Sequence, residues 1–263
     1  MKKFLVIGNP VSHSLSPKLH NYWFKKNNIN GTYDKEKLNS NDLEKLILRV
    51  KNNEIFGINV TVPFKKEIIS YLDELSLEAE NTQSVNTIYL DNDKVKGHNT
   101  DVDGFELSLS NIKFNVKGKK IFILGAGGVV PSIIFSLKKM KASKIIITNR
   151  TKTKAEALKN IFNDLSIINW GEVPNFDMVI NATSLGLDNK DEINLDFSKI
   201  EKGKLYYDVI YNPKETNFLK KAKAMGNMTE NGKRMFIYQA AASFKIWHKI
   251  YPNIDEGVYK ILD

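Results

Sequence analysis

Two rhythms of apolar residues alternate along the chain. Short runs dense in Ile, Val, Leu and Phe, at residues 2–7, 119–124, 143–148, 176–180 and 204–210, read as buried strands. Between them apolar residues recur at helical spacing. The clearest case is Leu43, Leu46, Ile47 and Val50, at i, i+3, i+4 and i+7, which predict one buried helix face opened by Ser40-Asn-Asp42. Strand followed by helix, repeated, predicts an α/β protein built on parallel sheet.

Local punctuation places the remaining elements. Ser16-Pro17 reads as a helix cap with proline at the first helical position, opening a helix to residue 27. Residues 55–62 form a strand in which Asn59 and Thr61 alternate with Ile58, Val60 and Val62, and Pro63 ends it. Residues 75–81 read as helix, and residues 84–90 and 94–98 as a hairpin turning at Asp91-Asn-Asp93. Thr100 or Asp101 caps a helix to about residue 111, and a further helix follows the glycine-rich turn after residue 124 and runs to about residue 140. Residues 228–232 make a short return. An aromatic-rich helix then spans 235–248 with Phe236, Ala240, Phe244 and Trp247 on one face, and residues 254–262 close the chain as helix.

Length and composition narrow the class. A chain of 263 residues, 42% hydrophobic, has room for one large domain or two modest ones. The absence of cysteine excludes disulfides, thiolate nucleophiles and thiolate metal sites, and agrees with a reducing compartment, so cytoplasm is the expected location. The N-terminal apolar run breaks after Ile7, too early for a signal peptide or a membrane span. A net charge of +9 raises the question of nucleic acid, yet the lysines are scattered and form no arginine-rich block. An anionic small-molecule ligand explains the charge as well, as does a lysine-rich proteome; a small-molecule substrate is expected, with no nucleic acid, no membrane and no metal.

Candidate chemistry gathers at strand ends. Asn59-Val-Thr-Val-Pro-Phe-Lys65-Lys carries an apolar strand into a polar turn, so Asn59, Thr61 and Lys65 sit where a buried strand opens onto solvent; the plain alternative is a strand end with two solvated lysines. The loop of residues 8–17 carries Ser12, Ser14 and Ser16, hydroxyls that suit a polyol or carboxylate as well as they suit a capping turn. Asp101 at a helix start serves the helix dipole whatever else it does. Gln239 interrupts an apolar face, and a buried amide there needs partners.

Gly125-Ala126-Gly127-Gly128, between a buried strand and an apolar helix, has the layout of a dinucleotide-binding turn, whose glycines let backbone approach a pyrophosphate at the helix N-terminus. The next strand ends on Asn149-Arg150-Thr151-Lys-Thr-Lys154. NAD enzymes place an acidic residue there for the ribose 2′-hydroxyl, whereas Arg150 and Lys154 suit a 2′-phosphate and hence NADP. The loops starting at Asn181-Ala-Thr183 and Tyr211-Asn-Pro213 leave strand C-termini, where a doubly wound sheet holds its ligand.

In order along the chain, Gly8-Asn-Pro-Val-Ser-His-Ser-Leu-Ser-Pro17, Asn59-Val-Thr-Val-Pro-Phe-Lys65, Ser84-Val-Asn86-Thr87, Asn99-Thr-Asp101-Val-Asp-Gly104, Gly125-Ala-Gly-Gly128, Asn149-Arg-Thr151, Asn181-Ala-Thr183 and residues 232–239 resemble the shikimate dehydrogenase family over nearly the whole chain. The resemblance implies two α/β domains. One is a split substrate domain of residues 1–101 plus 237–263, and the other a Rossmann-like doubly wound NADP-binding domain of residues 102–236. It also implies reversible NADPH-dependent reduction of 3-dehydroshikimate to shikimate, on the route to aromatic amino acids, by a monomer or homodimer.

Position by position, the resemblance makes Lys65 and Asp101 the catalytic pair and Ser14, Ser16, Asn59, Thr61, Asn86 and Gln239 the substrate ligands, with Tyr211 joining from the cofactor side. It gives Gly125, Ala126, Gly127, Gly128, Asn149, Arg150, Thr151 and Lys154 to NADP, and Thr183 and Gly232 to the nicotinamide pocket. The chain departs from the family's commoner residues at Val129-Val-Pro131, Ser184, Leu187 and Lys233-Arg234. Alternatives are a quinate/shikimate dehydrogenase with broader substrate or cofactor use, and a non-catalytic NADPH-binding regulatory relative, in which both Lys65 and Asp101 would be dispensable.

Overall fold

The apolar runs become the strands of two six-stranded sheets, each in its own compact unit. The structure, a computed structural model, describes residues 1–188 and 191–263. One unit comprises Met1–Gly104 with Ile237–Asp263, and the other Phe105–Phe236.

In the first unit β1 (Lys2–Gly8), α1 (Ser16–Lys26), β2 (Gly31–Lys37), α2 (Leu43–Lys51) and β3 (Gly57–Val60) are followed by β4 (Glu74–Leu75), α3 (Leu77–Thr82), β5 (Thr87–Asp91) and β6 (Lys94–His98). The strand order is β2-β1-β3-β5-β6-β4. β1 runs parallel to β2 and β3, as the alternation of strand and helix predicts, but β5 is antiparallel to both β3 and β6. β5 and β6 are antiparallel because their connection is only two residues long. Asn92 (φ 51°) and Asp93 (φ 60°) both occupy the left-handed region, the geometry of a type I′ hairpin turn.

Strand alternation gives β1 two buried faces. Leu5 and Ile7 join Leu43, Leu46, Ile47 and Val50 of α2, the face expected from spacing. On the other side Phe4 packs against Phe24 and Trp247, with ring centroids 5.2 Å apart in each pair.

The second unit contains β7 (Lys120–Leu124), α5 (Val130–Lys139), β8 (Lys144–Thr148), α6 (Lys152–Ala157), β9 (Ser166–Ile167), β10 (Met178–Asn181), β11 (Leu205–Asp208), α7 (Asn217–Ala224) and β12 (Met228–Glu230). Helix α4 (Asp101–Asn111) leads into it, α8 (Lys233–His248) leads out, and α9 (Glu256–Lys260) ends the chain. All strand pairs are parallel, in the order β12-β11-β10-β7-β8-β9. Counted from β7 this is the 3-2-1-4-5-6 order of a dinucleotide-binding sheet, with its reversal between β7 and β10.

Local differences from expectation have local causes. Ser16 does not cap α1 with its side chain; Leu15 holds the cap position, and the hydroxyl of Ser14 accepts the Ser16 N–H at 3.3 Å. The strand expected over residues 55–62 is only four residues of β3, after which the chain turns and the Val62–Pro63 peptide is cis. The buried face of α8 is Ile237, Ala240, Ala241 and Phe244, while Phe236 is half-buried and stacks on Tyr211. Among the described residues no helix is long and apolar enough to cross a membrane, and no cluster of His, Cys, Asp or Glu is arranged to hold a metal ion.

Candidate active site

In the first unit the end of β3, the start of α4 and one face of α8 bring polar side chains together. Lys65 lies two residues beyond Pro63, its carbonyl accepting the Val85 N–H at 2.8 Å. Its Nζ is 2.5 Å from Asp101 Oδ2, and the two side chains are only 15% and 10% exposed. Lys66, next in sequence, is exposed. Two nearly buried charges persist because each offsets the other's desolvation.

Asn86 completes the pair's surroundings. Its Nδ2 donates to Asp101 Oδ1 at 3.0 Å and lies 3.5 Å from Gln239 Oε1. The amide cannot turn over, because Oδ1 accepts the Thr100 N–H at 2.8 Å and the hydroxyls of Thr87 and Thr100 at 2.9 and 3.1 Å. Asn99 Oδ1 accepts the Asp101 N–H at 3.2 Å, so the carboxylate is fixed at both its backbone and its side chain.

Asn59 is held deeper than a strand end opening onto solvent implies. It is buried, its Oδ1 accepting from Tyr33 at 2.7 Å and its Nδ2 within 3.0 to 3.1 Å of the Asn86 carbonyl, the Thr87 hydroxyl and Ser243 Oγ. Ser16 bonds the same Tyr33, whose phenol is pushed well above its ordinary pKa by burial, and Ser14 Oγ donates to Ser16 Oγ at 3.2 Å. Thr61 is half-buried beside this network, with its N–H on Ile7 O at 2.9 Å. Sequence reasoning missed Tyr33, Thr87 and Ser243. Ser243 carried a signal, since it follows Gln239 by one helical turn and therefore shares its face.

The second unit holds a cleft of about 250 Å³ where its sheet reverses, lined by Gly125, Ala126, Gly127, Asn149, Arg150, Thr151, Lys154, Trp170, Ala182, Thr183, Ser184 and Leu185. Gly125 has φ of +109°, and a Cβ there would fall 2.7 Å from Ala182 O, so only glycine fits between the two loops. A Cβ on Gly128 would meet nothing within 4 Å, leaving the helix N-terminus open to a ligand. Arg150 and Lys154 are exposed cations with no carboxylate partner among the described residues. The donor set, open backbone at a helix start beside two free cations, fits a phosphorylated dinucleotide. Pro131 lies in the first turn of α5, and the preceding Val129 occupies the cap position rather than the cleft wall.

Thr183 is tied in place from behind. Asn181 Oδ1 accepts its N–H at 3.1 Å and its hydroxyl at 2.7 Å, while Asn181 Nδ2 donates to Asp208 Oδ1 at 3.0 Å. Asp208 is fully buried, and burial raises its carboxyl to about 6 despite bonds from Thr216, Ile210 N–H and Asn181. Gly128, Tyr211 and Gly232 do not line this cleft. Tyr211 stacks on Phe236 at 4.8 Å, and Gly232 N–H donates to Ile210 O at 3.0 Å. Arg234 is held by Glu230 at 2.7 Å. Of the lining residues, Trp170 escaped sequence reasoning, with only Trp170-Gly171, an aromatic set in a turn signal, as a hint; Ala182 and Leu185 belong to the loop after residue 180 that was expected at the ligand end of the sheet.

Comparison with known proteins gives concordant findings. The family model described as the shikimate dehydrogenase substrate binding domain matches residues 6–88, and the one described as shikimate / quinate 5-dehydrogenase matches residues 106–203. A shikimate dehydrogenase (NADP(+)) of Pelagibacter ubique is 59% identical over 262 residues, covering 100% of this chain and 99% of its own length. A crystal structure of a shikimate dehydrogenase in complex with NADP+ superposes with a TM-score of 0.92 at 37% identity, covering 100% of this chain and 95% of that one. One from Listeria monocytogenes, in complex with shikimate and NAD, superposes with a TM-score of 0.91 at 28% identity, covering 100% and 96%.

Proposed function

The chain belongs to the shikimate dehydrogenase family, and we propose that it reversibly reduces 3-dehydroshikimate to shikimate with NADPH. The observation that carries the chemistry is the Lys65 Nζ to Asp101 Oδ2 contact of 2.5 Å, beside an Asn86 amide fixed in one orientation. In this reading the first unit binds the polyhydroxy acid and the second binds NADPH. Ser14, Ser16, Asn59, Thr61, Asn86 and Gln239 supply hydrogen bonds to substrate hydroxyls and carboxylate, and Tyr211 is assigned to the substrate as well. Gly125 to Gly128 receive the pyrophosphate, Asn149 to Lys154 the 2′-phosphate, and Thr183 and Gly232 belong to the nicotinamide end.

The cofactor supplies a hydride when bound. Lys65 acts on the carbonyl oxygen of the substrate, where negative charge grows as reduction proceeds. Its Nζ stabilises that charge and donates the proton that makes the hydroxyl, an interaction stronger in the transition state than in the ground state. Asp101 orients Nζ through Oδ2, and in the oxidation direction the pair together takes the hydroxyl proton. Asn86 occupies Oδ1 and keeps Oδ2 for the lysine. The enzyme works in the cytoplasm, as a monomer or homodimer.

One kinetic panel tests the reading: shikimate and quinate, each with NADP+ and with NAD+. Turnover of shikimate with NADP+ is the expected result. Preferred turnover of quinate moves the chain to the quinate/shikimate reading, which the description of the second matched family model also names, and no turnover of either substrate leaves a cofactor-binding relative.

A further inference from the structure

Trp170 has no role in the reaction described above, yet its position is held with unusual care. It stands in the turn after β9, where the Glu172 N–H donates to Asn169 O at 3.2 Å and Gly171 has φ of +106°, a backbone that side chains resist. The same turn is clamped by Asn169 Nδ2 donating to Glu172 Oε1 at 2.6 Å, and is tied to the first turn of α6 by Lys152 Nζ donating to Asn169 Oδ1 at 3.1 Å. α6 begins just after Arg150 and Thr151, so the turn that carries Trp170 is fastened to the segment that carries the two free cations. The indole is half-buried, lines the same cleft as Arg150 and Lys154, and has no stacked ring or cation over it among the described residues.

An aromatic face of that size, left without a ring partner in a polar cleft, is a surface for a flat heterocycle. The strand order says which one. β7, β8 and β9 form the half of a doubly wound sheet on the adenosine side of the reversal, and Trp170 leaves the C-terminal end of β9. We propose that Trp170 is a binding residue for the adenine ring of NADP, stacking its indole on the base while Arg150 and Lys154 take the 2′-phosphate. The inference rests on the cofactor reading given above and adds to it the residue that recognises the base.

The test uses the full chain and three ligands: NADP+, 2′,5′-ADP, which is the adenosine half alone, and nicotinamide mononucleotide, which lacks adenine. Base stacking on an aromatic side chain amounts to roughly a tenfold or greater change in affinity. Trp170→Leu, which keeps apolar bulk and removes the π-face, should weaken NADP+ and 2′,5′-ADP alike by about tenfold or more and leave nicotinamide mononucleotide unchanged. Trp170→Phe should restore most of the loss. Thermal melting of both variants checks the fold. Unchanged 2′,5′-ADP binding by Trp170→Leu overturns the inference alone. Failure of the unaltered protein to bind NADP+ overturns the cofactor reading and this inference with it.

Discussion

Asn86 donates to Asp101 Oδ1 at 3.0 Å and thereby leaves Oδ2 to Lys65. The orientation is enforced by three donors converging on Asn86 Oδ1, one of them a backbone N–H that cannot move away. Asn86→Asp keeps every one of those acceptor contacts and replaces the amide nitrogen that faces Asp101, and more distantly Gln239 Oε1, by a second carboxylate oxygen. Like charges at hydrogen-bonding distance disfavour ionisation. The acidic limb of the kcat profile should therefore move to higher pH, and kcat at neutral pH should fall by about tenfold or more. A profile superposable on that of the unaltered enzyme would remove Asn86 from the positioning role.

Lys65→Ala removes the group assigned to the developing oxyanion. General acid catalysis of this kind contributes about 10²- to 10⁴-fold, so kcat should drop by that order while KM moves only a few-fold. Steady-state kinetics with shikimate and NADP+ decides it, and an unchanged kcat would sink the role. Lys66→Ala serves as the control: its side chain is exposed, and its loss should leave both constants near their starting values.

Among the described residues lining the cofactor cleft, Arg150 and Lys154 are the cations, the groups that favour a 2′-phosphate over a 2′-hydroxyl by charge. The double change Arg150→Ala, Lys154→Ala should weaken NADP+ by about 10- to 100-fold, since a charge-assisted contact contributes roughly 1.5–3 kcal/mol before screening at an exposed site. NAD+ affinity should hardly change. Raising ionic strength should erode NADP+ binding in the unaltered protein and much less in the double variant. Equal losses for the two cofactors would show that these residues do not read the phosphate.

The elements set by periodicity were legible in sequence, and those set by tertiary contact were not. Leu43, Leu46, Ile47 and Val50 form the buried face their spacing predicts, and the glycine turn after β7 stands where strand, glycines and apolar helix predict it. Lys65, Asp101, Asn86 and Gln239 lie together, although they are 36, 15 and 153 residues apart in successive pairs around the cluster. What stayed hidden depends on partners distant in the chain. Asn59 reads as a polar residue at a strand end, and only the approach of Tyr33 and Ser243 shows that its amide is enclosed. Tyr33 in turn shows its part only where Ser16 and Asn59 meet it. Trp170 follows a strand of two residues, too short for any periodic signal. Its turn chemistry shows in Gly171, but the cleft it faces is made by residues before and after it in the chain.

His20 supplies a prediction about stability rather than turnover. It is fully buried, its ring lies 4.3 Å from that of Tyr33 at 2°, and neither ring nitrogen has a hydrogen-bond partner among the described residues. Burial, with a smaller contribution from nearby His248, pushes its pKa down to about 3. The unfolded chain protonates this imidazole near 6.5, so between about 6.5 and about 3 the unfolded state binds more protons than the folded one. The contribution of His20 is therefore full above about 6.5 and is lost as pH falls. His248, lowered to about 4 mainly by burial, acts in the same direction. Asp208 acts against them: its folded carboxyl, raised to about 6 from 3.8, binds protons before the unfolded one does, and so adds stability as pH falls through about 6. Because these effects overlap, the informative quantity is the difference between the unaltered protein and His20→Phe at each pH. Phenylalanine keeps the stack on Tyr33 and cannot take a proton. Its melting temperature, relative to the unaltered protein, should rise steadily from pH 7 to pH 5. A constant offset across that range would mean that His20 is not held neutral by its surroundings.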